Sequence, residues 1–392
     1  MSQLQEYLPT FFALRAMPRD INTMMKKIPV GILGATGMVG QQYIRLLENH
    51  PWFKVAYVAA SPQSAGKKYN DALKNGWIVG GNIPESVANL TVEDVSDVSK
   101  AAGACMFVFS AFEMPEKELI RKYENDYAAA GMPVFSNASA HRGTENVPML
   151  IAEINPQHLY IIPQQQKAND WSKGFIVVKP NCSLQSYLTP IYALIAAGYP
   201  VEKLIITTMQ AVSGAGYPGV ASWDIIDNVV PLISGEEEKT ENEPLKILGE
   251  PKEGSAGWRI QPYKDLTISS HCNRVPVSDG HLACVNILFG EKKPNREQIL
   301  DVWETFRGEP QKLGLPFAPA QPIIYREEPD RPQPKKDRDA DKGMAVTVGR
   351  LREDNIFDFK FVALSHNTIR GAAGGGILNA ELAFKKGFLK GV

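Results

Sequence analysis

Short apolar runs separated by glycine-rich turns characterise the first part of the chain. Residues 28–33 predict a strand, 34–40 a turn with a glycine at every third position, and 41–48 a helix. A second apolar run, 54–60, completes a strand–helix–strand unit. Glycines at such a turn let a pyrophosphate approach the backbone at a helix N-terminus. The spacing differs from GxGxxG, but its place between a strand and a helix predicts dinucleotide binding.

Two further apolar runs extend this sheet. Residues 105–109 and 133–135 predict strands that end at Ser110 and Asn137. Doubly wound sheets bind ligands at the carboxyl ends of their strands, so we expect both side chains near the ligand. Cys105 is predicted to lie inside its strand, in the core.

The pattern changes after Phe175, where strands become longer and helices fewer. The predicted strands are 204–210, 266–277, 282–289, 344–351 and 357–365. They indicate a mostly antiparallel or mixed sheet. Residues 371–386 are rich in small residues and then helical, and we expect them to pack back on the nucleotide-binding domain. The Pro- and charge-rich stretch 316–342 is either a subunit-contact arm or a solvated loop.

Composition limits the classes of protein to consider. A chain of 392 residues fits two domains, and its net charge of −1 gives no reason to expect nucleic acid or an anionic membrane as partner. No apolar stretch approaches the ~20 residues that span a bilayer. Four cysteines without CxxC spacing indicate a reducing compartment, so we predict a cytoplasmic protein with no metal site.

The first 27 residues are predicted to be an N-terminal extension without regular structure. They could be a degenerate transit segment, an interaction arm, or an overlong start with initiation at Met24 or Met25.

Cys182 is the candidate nucleophile. It follows the apolar run 175–178 and precedes 184–188, a pattern that predicts a strand, a tight turn and a helix. A sulfur at a helix N-terminus would be stabilised as the thiolate, the nucleophilic form. The alternative is a buried structural cysteine.

The loop after the second strand bears on the cofactor. NAD sites usually place an acidic residue there, but residues 61–68 carry hydroxyls, an amide and two lysines. Ser61, Ser64 and Lys67 suit a 2′-phosphate, which favours NADP. The alternative is an ordinary polar loop with solvated lysines.

Seven motifs in order carry a family resemblance. They are GATGMVG, SNASAHR, PNCS, QAVSGAGYPG, GEEEK, CNRVPVSDGH and SHNTIRGAAGGGILNAEL. From Ile28 onwards the chain resembles the aspartate-semialdehyde dehydrogenases of the archaeal and fungal branch. The resemblance implies NADP-dependent reduction of L-aspartyl 4-phosphate to L-aspartate 4-semialdehyde with release of phosphate, in lysine, threonine and methionine biosynthesis.

The resemblance also implies roles for particular residues. The catalytic ones are the nucleophile Cys182, the acid/base His281, and Gln210, which positions the acyl intermediate. The substrate contacts are Arg274 to the carboxylate, Glu236 to the amino group, and Arg142, Asn181 and Lys239 to the phosphate. The cofactor contacts are Gly34, Thr36, Gly37, Met38, Val39, Ser61, Ser64, Lys67, Ser110, Ser139, Ser213, Gly214 and Asn367.

Physical chemistry supports these roles. A covalent acyl-enzyme divides one difficult step into two. Histidine titrates near neutrality, so His281 could help form the thiolate and later supply a proton. The planar fork of Arg274 matches a carboxylate. Glu236 and Lys239 are three residues apart on one predicted helix face.

Gln63 departs from the family, which often has Arg at this position, so use of both NAD and NADP is possible.

The predicted fold class is α/β: a Rossmann-like domain at 28–180, completed by a C-terminal helix at 366–392, and an α+β catalytic and dimerisation domain with a large mixed sheet at 181–365. We expect a homodimer or homotetramer.

Malonyl-CoA reductase, with the same thioester chemistry, is the nearest alternative function. N-acetyl-glutamyl-phosphate reductase and a redox-inactive NADP-binding regulatory protein are further ones.

Overall fold

The computed structural model describes residues 26–73, 76–112, 114–255 and 257–389. Most of the predicted N-terminal extension lies outside these residues. The first sheet contains six parallel strands in the order β3-β2-β1-β4-β5-β6. Its strands are β1 (Ile28–Leu33), β2 (Phe53–Ala60), β3 (Val92–Asp94), β4 (Phe107–Ser110), β5 (Val134–Ser136) and β6 (Ile176–Val178).

The glycine turn connects β1 to the first helix, which begins earlier than predicted. Helix α1 spans Met38–Leu47, so Gly40 lies inside its first turn. A Cβ at Gly40 would overlap the carbonyl oxygen of Gly34, so only glycine permits this close packing of helix on turn. The prediction for Cys105 was wrong: it ends a helix before β4, although it is buried.

The remaining helices are mostly short. They are α2 (Tyr69–Ala72), α3 (Glu85–Ala88), α4 (Val98–Ala104), α5 (Lys117–Ala129), α6 (Ile162–Ala168), α7 (Leu188–Ala196), α8 (Ser222–Ile225), α9 (Glu236–Ile247), α10 (Arg296–Thr305), α11 (Glu309–Lys312), α12 (Pro334–Asp337) and α13 (Gly374–Lys385). No helix in the described ranges has the length and apolar character needed to cross a membrane.

The second sheet is mixed, as predicted, and has the order β10-β7-β11-β14-β13-β12. Its strands are β7 (Val201–Gln210), β10 (Thr267–Arg274), β11 (His281–Phe289), β12 (Ile323–Arg326), β13 (Val346–Glu353) and β14 (Phe359–Ser365). A separate hairpin joins β8 (Glu250–Gly254) and β9 (Gly257–Gln261). The stretch 316–342 is more than a loop, because it contributes β12, which pairs in parallel with β13 at the sheet edge.

The C-terminal segment returns to the first sheet. A π-helical turn at Ile369–Ala373 leads into α13, which contacts α1 and β5. Its glycines allow this approach: a Cβ at Gly376 would overlap the hydroxyl of Tyr43 on α1. Further along α13, the buried Glu381 accepts a hydrogen bond from His50 at 2.7 Å.

Candidate active site

A cavity of about 340 Å³ brings most of the predicted site residues together. Those that line it are Met38, Val39, Ser139, Arg142, Asn181, Cys182, Gln210, Ser213, Gly214, Glu236, Lys239, Arg274 and Asn367. They come from the α1 N-terminus, the segments after β5 and β14, the ends of β6, β7 and β10 with the residues that follow them, and the start of α9. Residues more than 300 positions apart in sequence thus share one cavity.

Cys182 lies four residues beyond the end of β6, but its local structure differs from the prediction. It precedes a four-residue 3₁₀ turn, Ser183–Ser186, and the regular helix α7 begins only at Leu188. The sulfur therefore does not benefit from the N-terminus of an α-helix. Burial, reinforced by the negative charge of Glu236, raises the pKa of the Cys182 thiol. Nearby cations, Lys179 first among them, oppose this rise.

His281, the first residue of β11, contacts the sulfur. Its Nε2 lies 3.3 Å from Cys182 Sγ. Its Nδ1 accepts a hydrogen bond from the backbone N–H of Ala211 at 3.1 Å. A backbone N–H can only donate, so the proton of the neutral ring is on Nε2 and points to the sulfur. Burial, together with the positive charge of Arg274, lowers the pKa of His281 to about 3, so the ring is neutral.

Glu236 is the centre of a buried hydrogen-bond network. Its carboxylate accepts from Asn181 Nδ2 at 2.8 Å, from Lys239 Nζ at 2.8 Å and from Gln210 Nε2 at 3.2 Å. Burial alone would raise its pKa, but Lys239 and the other donors outweigh burial and hold the pKa below its ordinary value. Glu236 is therefore ionised, and it fixes the predicted positioning group Gln210 in the cavity.

A second carboxylate, Glu243, was not predicted from the sequence. It lies two turns further along α9 and accepts from Arg142 Nη1 at 3.1 Å and from the backbone N–H of Asn181 at 2.7 Å. Arg142 also donates to the carbonyl groups of Lys179 and Asn137. Two of the three predicted phosphate ligands, Arg142 and Asn181, are therefore held in place by the same acidic side chain.

The side-chain charges of the cavity wall are mostly positive. Arg274, at the end of β10, donates to the Ala211 carbonyl at 2.8 Å. Among the described residues of the lining, the basic side chains are those of Lys117, Arg142, Lys179, Lys239 and Arg274, and the acidic one is that of Glu236. Sequence reasoning missed Lys117 and Lys179. Lys179 directly follows the buried strand β6 and precedes the PNCS motif, and this position in the sequence was a signal for it. This balance favours an anionic ligand.

The glycine turn has the shape that a dinucleotide requires. Gly34 has a φ of +74°, and a Cβ there would lie 2.6 Å from the carbonyl oxygen of Ala111. Gly37 caps α1 without a side-chain hydrogen bond, which leaves the helix N-terminus open to a pyrophosphate. Across the cavity, Asn367 Nδ2 donates a hydrogen bond to Ser213 Oγ, and Asn367 Oδ1 accepts one from the backbone N–H of Gly280, each at 2.8 Å. These residues fit a nicotinamide dinucleotide.

Four of the predicted cofactor residues lie away from this cavity. Ser61, Ser64 and Lys67 follow β2 on an open loop, where Lys67 Nζ donates to the carbonyl of Gln63 at 2.8 Å. The hydroxyl of Ser110 is buried and donates to Glu124 at 2.6 Å, so its side chain is directed into the core. Of the other three that do not line the cavity, Gly34 shapes the turn, Thr36 accepts from Gln41 through its carbonyl, and Gly37 caps α1.

The parallel nucleotide-binding sheet, the second sheet and the cavity between them define a nicotinamide-dependent oxidoreductase. Two family models match: "Semialdehyde dehydrogenase, NAD binding domain" at residues 29–162 and "Semialdehyde dehydrogenase, dimerisation domain" at residues 190–370. The class thus narrows to the semialdehyde dehydrogenases.

Individual relatives are more specific. The aspartate-semialdehyde dehydrogenase of Methanothermobacter thermautotrophicus is 46% identical over 91% of this chain and 98% of its own. That of Aspergillus fumigatus is 45% identical over 92% and 98%. The crystal structure of the Candida albicans aspartate-semialdehyde dehydrogenase with NADP has a TM-score of 0.83 and 38% identity, covering 93% of this chain and 100% of that one. The chain belongs to the aspartate-semialdehyde dehydrogenase family. These relatives support the main prediction and not the malonyl-CoA reductase alternative.

Proposed function

We propose that the protein catalyses the NADP-dependent reductive dephosphorylation of L-aspartyl 4-phosphate to L-aspartate 4-semialdehyde through a thioester on Cys182. The observation that carries this proposal is the contact of Cys182 Sγ with His281 Nε2 in a cavity with excess positive charge. In the cell the reaction belongs to lysine, threonine and methionine biosynthesis, and we place it in the cytoplasm.

The sulfur of Cys182 attacks the acyl carbon and forms a tetrahedral adduct, which collapses to the thioester as the C–O bond to phosphate breaks. The Nε2–H of His281 points at the sulfur and donates to the oxygen that becomes negative in this adduct. Bound NADPH supplies the hydride that reduces the thioester. Cys182 leaves as the thiolate, and the aldehyde is released.

The polar groups of the cavity match those of the substrate. The fork of Arg274 suits the substrate carboxylate, and the ionised Glu236 suits the substrate ammonium. Arg142, Asn181 and Lys239 are the proposed phosphate ligands. In the structure Arg142 is paired with Glu243 and Lys239 with Glu236. A bound phosphate would therefore share these two cations with the two carboxylates. The network keeps the cations in place before the dianion arrives.

For the cofactor we propose pyrophosphate contacts at Gly34, Thr36, Gly37, Met38 and Val39. The 2′-phosphate would lie at Ser61, Ser64 and Lys67, beyond the carboxyl end of β2, and Ser139, Ser213, Gly214 and Asn367 would surround the nicotinamide. Ser110 would contribute through its backbone, because its hydroxyl is engaged by Glu124.

We propose a homodimer formed through the second domain. A strip of apolar side chains is exposed on the segment between β7 and α9, within residues 190–370 that match the family's dimerisation domain. The strip consists of Tyr217, Trp223, Ile226, Val229 and Leu232, and Trp223 is 90% exposed. Patches of this kind mark protein–protein interfaces, and a second copy of the chain is the occupant that we propose.

Phosphate dependence is the decisive test of the proposed function. Oxidation of aspartate semialdehyde with NADP should require phosphate or arsenate, because the oxyanion must release the acyl group from Cys182. Without it we expect at most one turnover per site. Lys239→Ala should raise the KM for phosphate more than the KM for the semialdehyde, whereas the exposed Lys252→Ala should change neither. Multiple turnovers without phosphate, or full activity of Cys182→Ser, would refute the proposal.

A further inference from the structure

Glu243 is a buried carboxylate that has no step of its own in the reaction described above. It lies on α9, on the same face as Glu236, and it is 8% exposed. Among the described residues, Glu236 lines the cavity and Glu243 does not. Glu243 therefore does not contact the substrate, and any effect that it has on the reaction passes through the groups to which it is hydrogen-bonded.

Both of those groups belong to the proposed phosphate site. One carboxylate oxygen of Glu243, Oε1, accepts from Arg142 Nη1 at 3.1 Å. The other, Oε2, accepts from the backbone N–H of Asn181 at 2.7 Å. Asn181 directly precedes Cys182 in the chain. One side chain thus contacts a phosphate ligand and the backbone next to the nucleophile.

Arg142 does not need Glu243 to stay in place. Its Nε donates to the carbonyl of Lys179 at 3.0 Å, and its Nη2 donates to the carbonyl of Asn137 at 3.1 Å. Two hydrogen bonds from different nitrogens fix the plane of a guanidinium group. The carbonyls supply no negative charge, however, and an uncompensated cation is costly where only 13% of its side chain is exposed. The specific contribution of Glu243 is therefore charge compensation.

This compensation weakens the site for phosphate. Three N–H groups of Arg142 are used within the protein, and the one that donates to Glu243 makes a charge-assisted bond that a phosphate must share or displace. The carboxylate also repels a dianion bound next to Arg142. In the biosynthetic direction phosphate leaves in every turnover, so a site that held it tightly would be inhibited by its own product.

We propose that Glu243 is a positioning residue that acts through Arg142 and limits the affinity of the site for phosphate, so that the dianion can leave after the thioester has formed. Its second hydrogen bond, from the Asn181 N–H, joins this control to the turn that carries Cys182. The inference rests on the proposed function, because it treats phosphate as the product in one direction and as a substrate in the other.

Glu243→Gln tests the inference. The oxygen of the new amide can still accept from Asn181, but its NH₂ group would face Arg142 Nη1, donor against donor. Arg142 keeps its two carbonyl bonds and gains a free N–H. We expect the KM for phosphate in semialdehyde oxidation to fall by about three- to tenfold, the effect of removing one nearby like charge, while the KM for the semialdehyde changes by less than about twofold. Loss of a merely structural contact would raise both.

Thermal unfolding gives a second measurement that does not depend on turnover. Without phosphate, Glu243→Gln should unfold at a lower temperature than the wild type, because Arg142 has lost its negative partner. Added phosphate should raise the unfolding temperature more in the variant, because a ligand stabilises the folded state according to its affinity. Glu241→Gln is the matched control: Glu241 also lies on α9 and accepts from a backbone N–H, that of Ser270 at 3.0 Å. It should change neither quantity.

Two further variants complete the test. Glu243→Asp moves the carboxylate away from Arg142 by one methylene, so it should lower the KM for phosphate to a smaller extent, and it carries the test if Glu243→Gln does not fold. In an Arg142→Met background, Glu243→Gln should no longer lower this KM. An unchanged or raised KM in the Glu243 variants, a fall that persists without Arg142, or an equal fall in Glu241→Gln would overturn the inference. The proposed function survives each of these results while wild-type turnover requires phosphate, whereas wild-type turnover without phosphate would remove both.

Discussion

Gly214 offers a test of the site geometry that changes no charged or reactive group. A Cβ added at Gly214 would lie 2.8 Å from Arg274 Nη1 and 3.0 Å from His281 Nε2. Its backbone is outside the left-handed region, so alanine meets no conformational barrier there. Within the protein, the strain of Gly214→Ala would fall on the two side chains that we assign to the substrate carboxylate and the sulfur, and cofactor titrations would separate any effect on the nicotinamide that we place beside Gly214.

The size of the effect follows from these distances. To reach an ordinary contact of 3.4 Å, the Arg274 guanidinium must retreat by 0.6 Å and the His281 ring by 0.4 Å. Displacement of this order weakens the 3.3 Å contact of Nε2 with Sγ and the 2.8 Å bond from Arg274 to Ala211. A misplacement of about 1 Å can cost roughly 100-fold in rate. We expect kcat/KM to fall by about 10- to 100-fold, or ~1.4–2.7 kcal/mol.

Steady-state kinetics in both directions, with a thermal unfolding curve, would check this. The variant should unfold at the wild-type temperature within a few degrees, because substituting a glycine also removes entropy from the unfolded chain. Gly103→Ala is the control, since a Cβ on that helix meets no atom within 4 Å. A kcat/KM for Gly214→Ala within twofold of wild type would refute the assigned roles of Arg274 and His281.

Two further predictions concern the cofactor and the assembly. Gln63→Arg should tighten NADP binding by ~1.5–3 kcal/mol, the scale of a charge-assisted hydrogen bond, and leave NAD binding unchanged in calorimetric titrations. An equal gain for both cofactors would show that the loop does not contact the 2′-phosphate. Trp223→Asp should weaken the dimer more than tenfold in sedimentation experiments, whereas Ile356→Asp, at a residue 86% exposed outside the strip, should not. Unchanged association of Trp223→Asp would place the interface elsewhere.

Local signals in the sequence were enough to predict most strands of the two sheets. The glycine turn and the apolar runs predicted the parallel sheet, and the strands of the second sheet match to within three residues at either end. Strand ends depend on contacts with neighbouring strands, which a single sequence does not contain. The edge strand β12 was missed because its flanks are rich in proline and charge.

Sequence reasoning was weakest for electrostatics. Motifs identified Cys182 and His281, but not that the Ala211 N–H determines the tautomer of the ring. Glu243 is 101 residues from its partner Arg142, and no local pattern signals such a pairing. The role of the helix N-terminus at Cys182 was overestimated, because PNCS followed by apolar residues suggests an α-helix where the chain forms a 3₁₀ turn.

The return of the C-terminal segment to the first sheet has a consequence for biosynthesis of the protein. A Cβ at Gly371 would lie 3.0 Å from the Cβ of Cys182, so this segment packs directly against the nucleophile. Domains generally begin to fold during translation, starting from the N-terminus. After Cys182 has emerged from the ribosome, the whole second sheet must still be synthesised before Gly371 emerges. Until then the nascent nucleotide-binding sheet lacks α13 as its cover, and its exposed apolar face would be a natural target for chaperones.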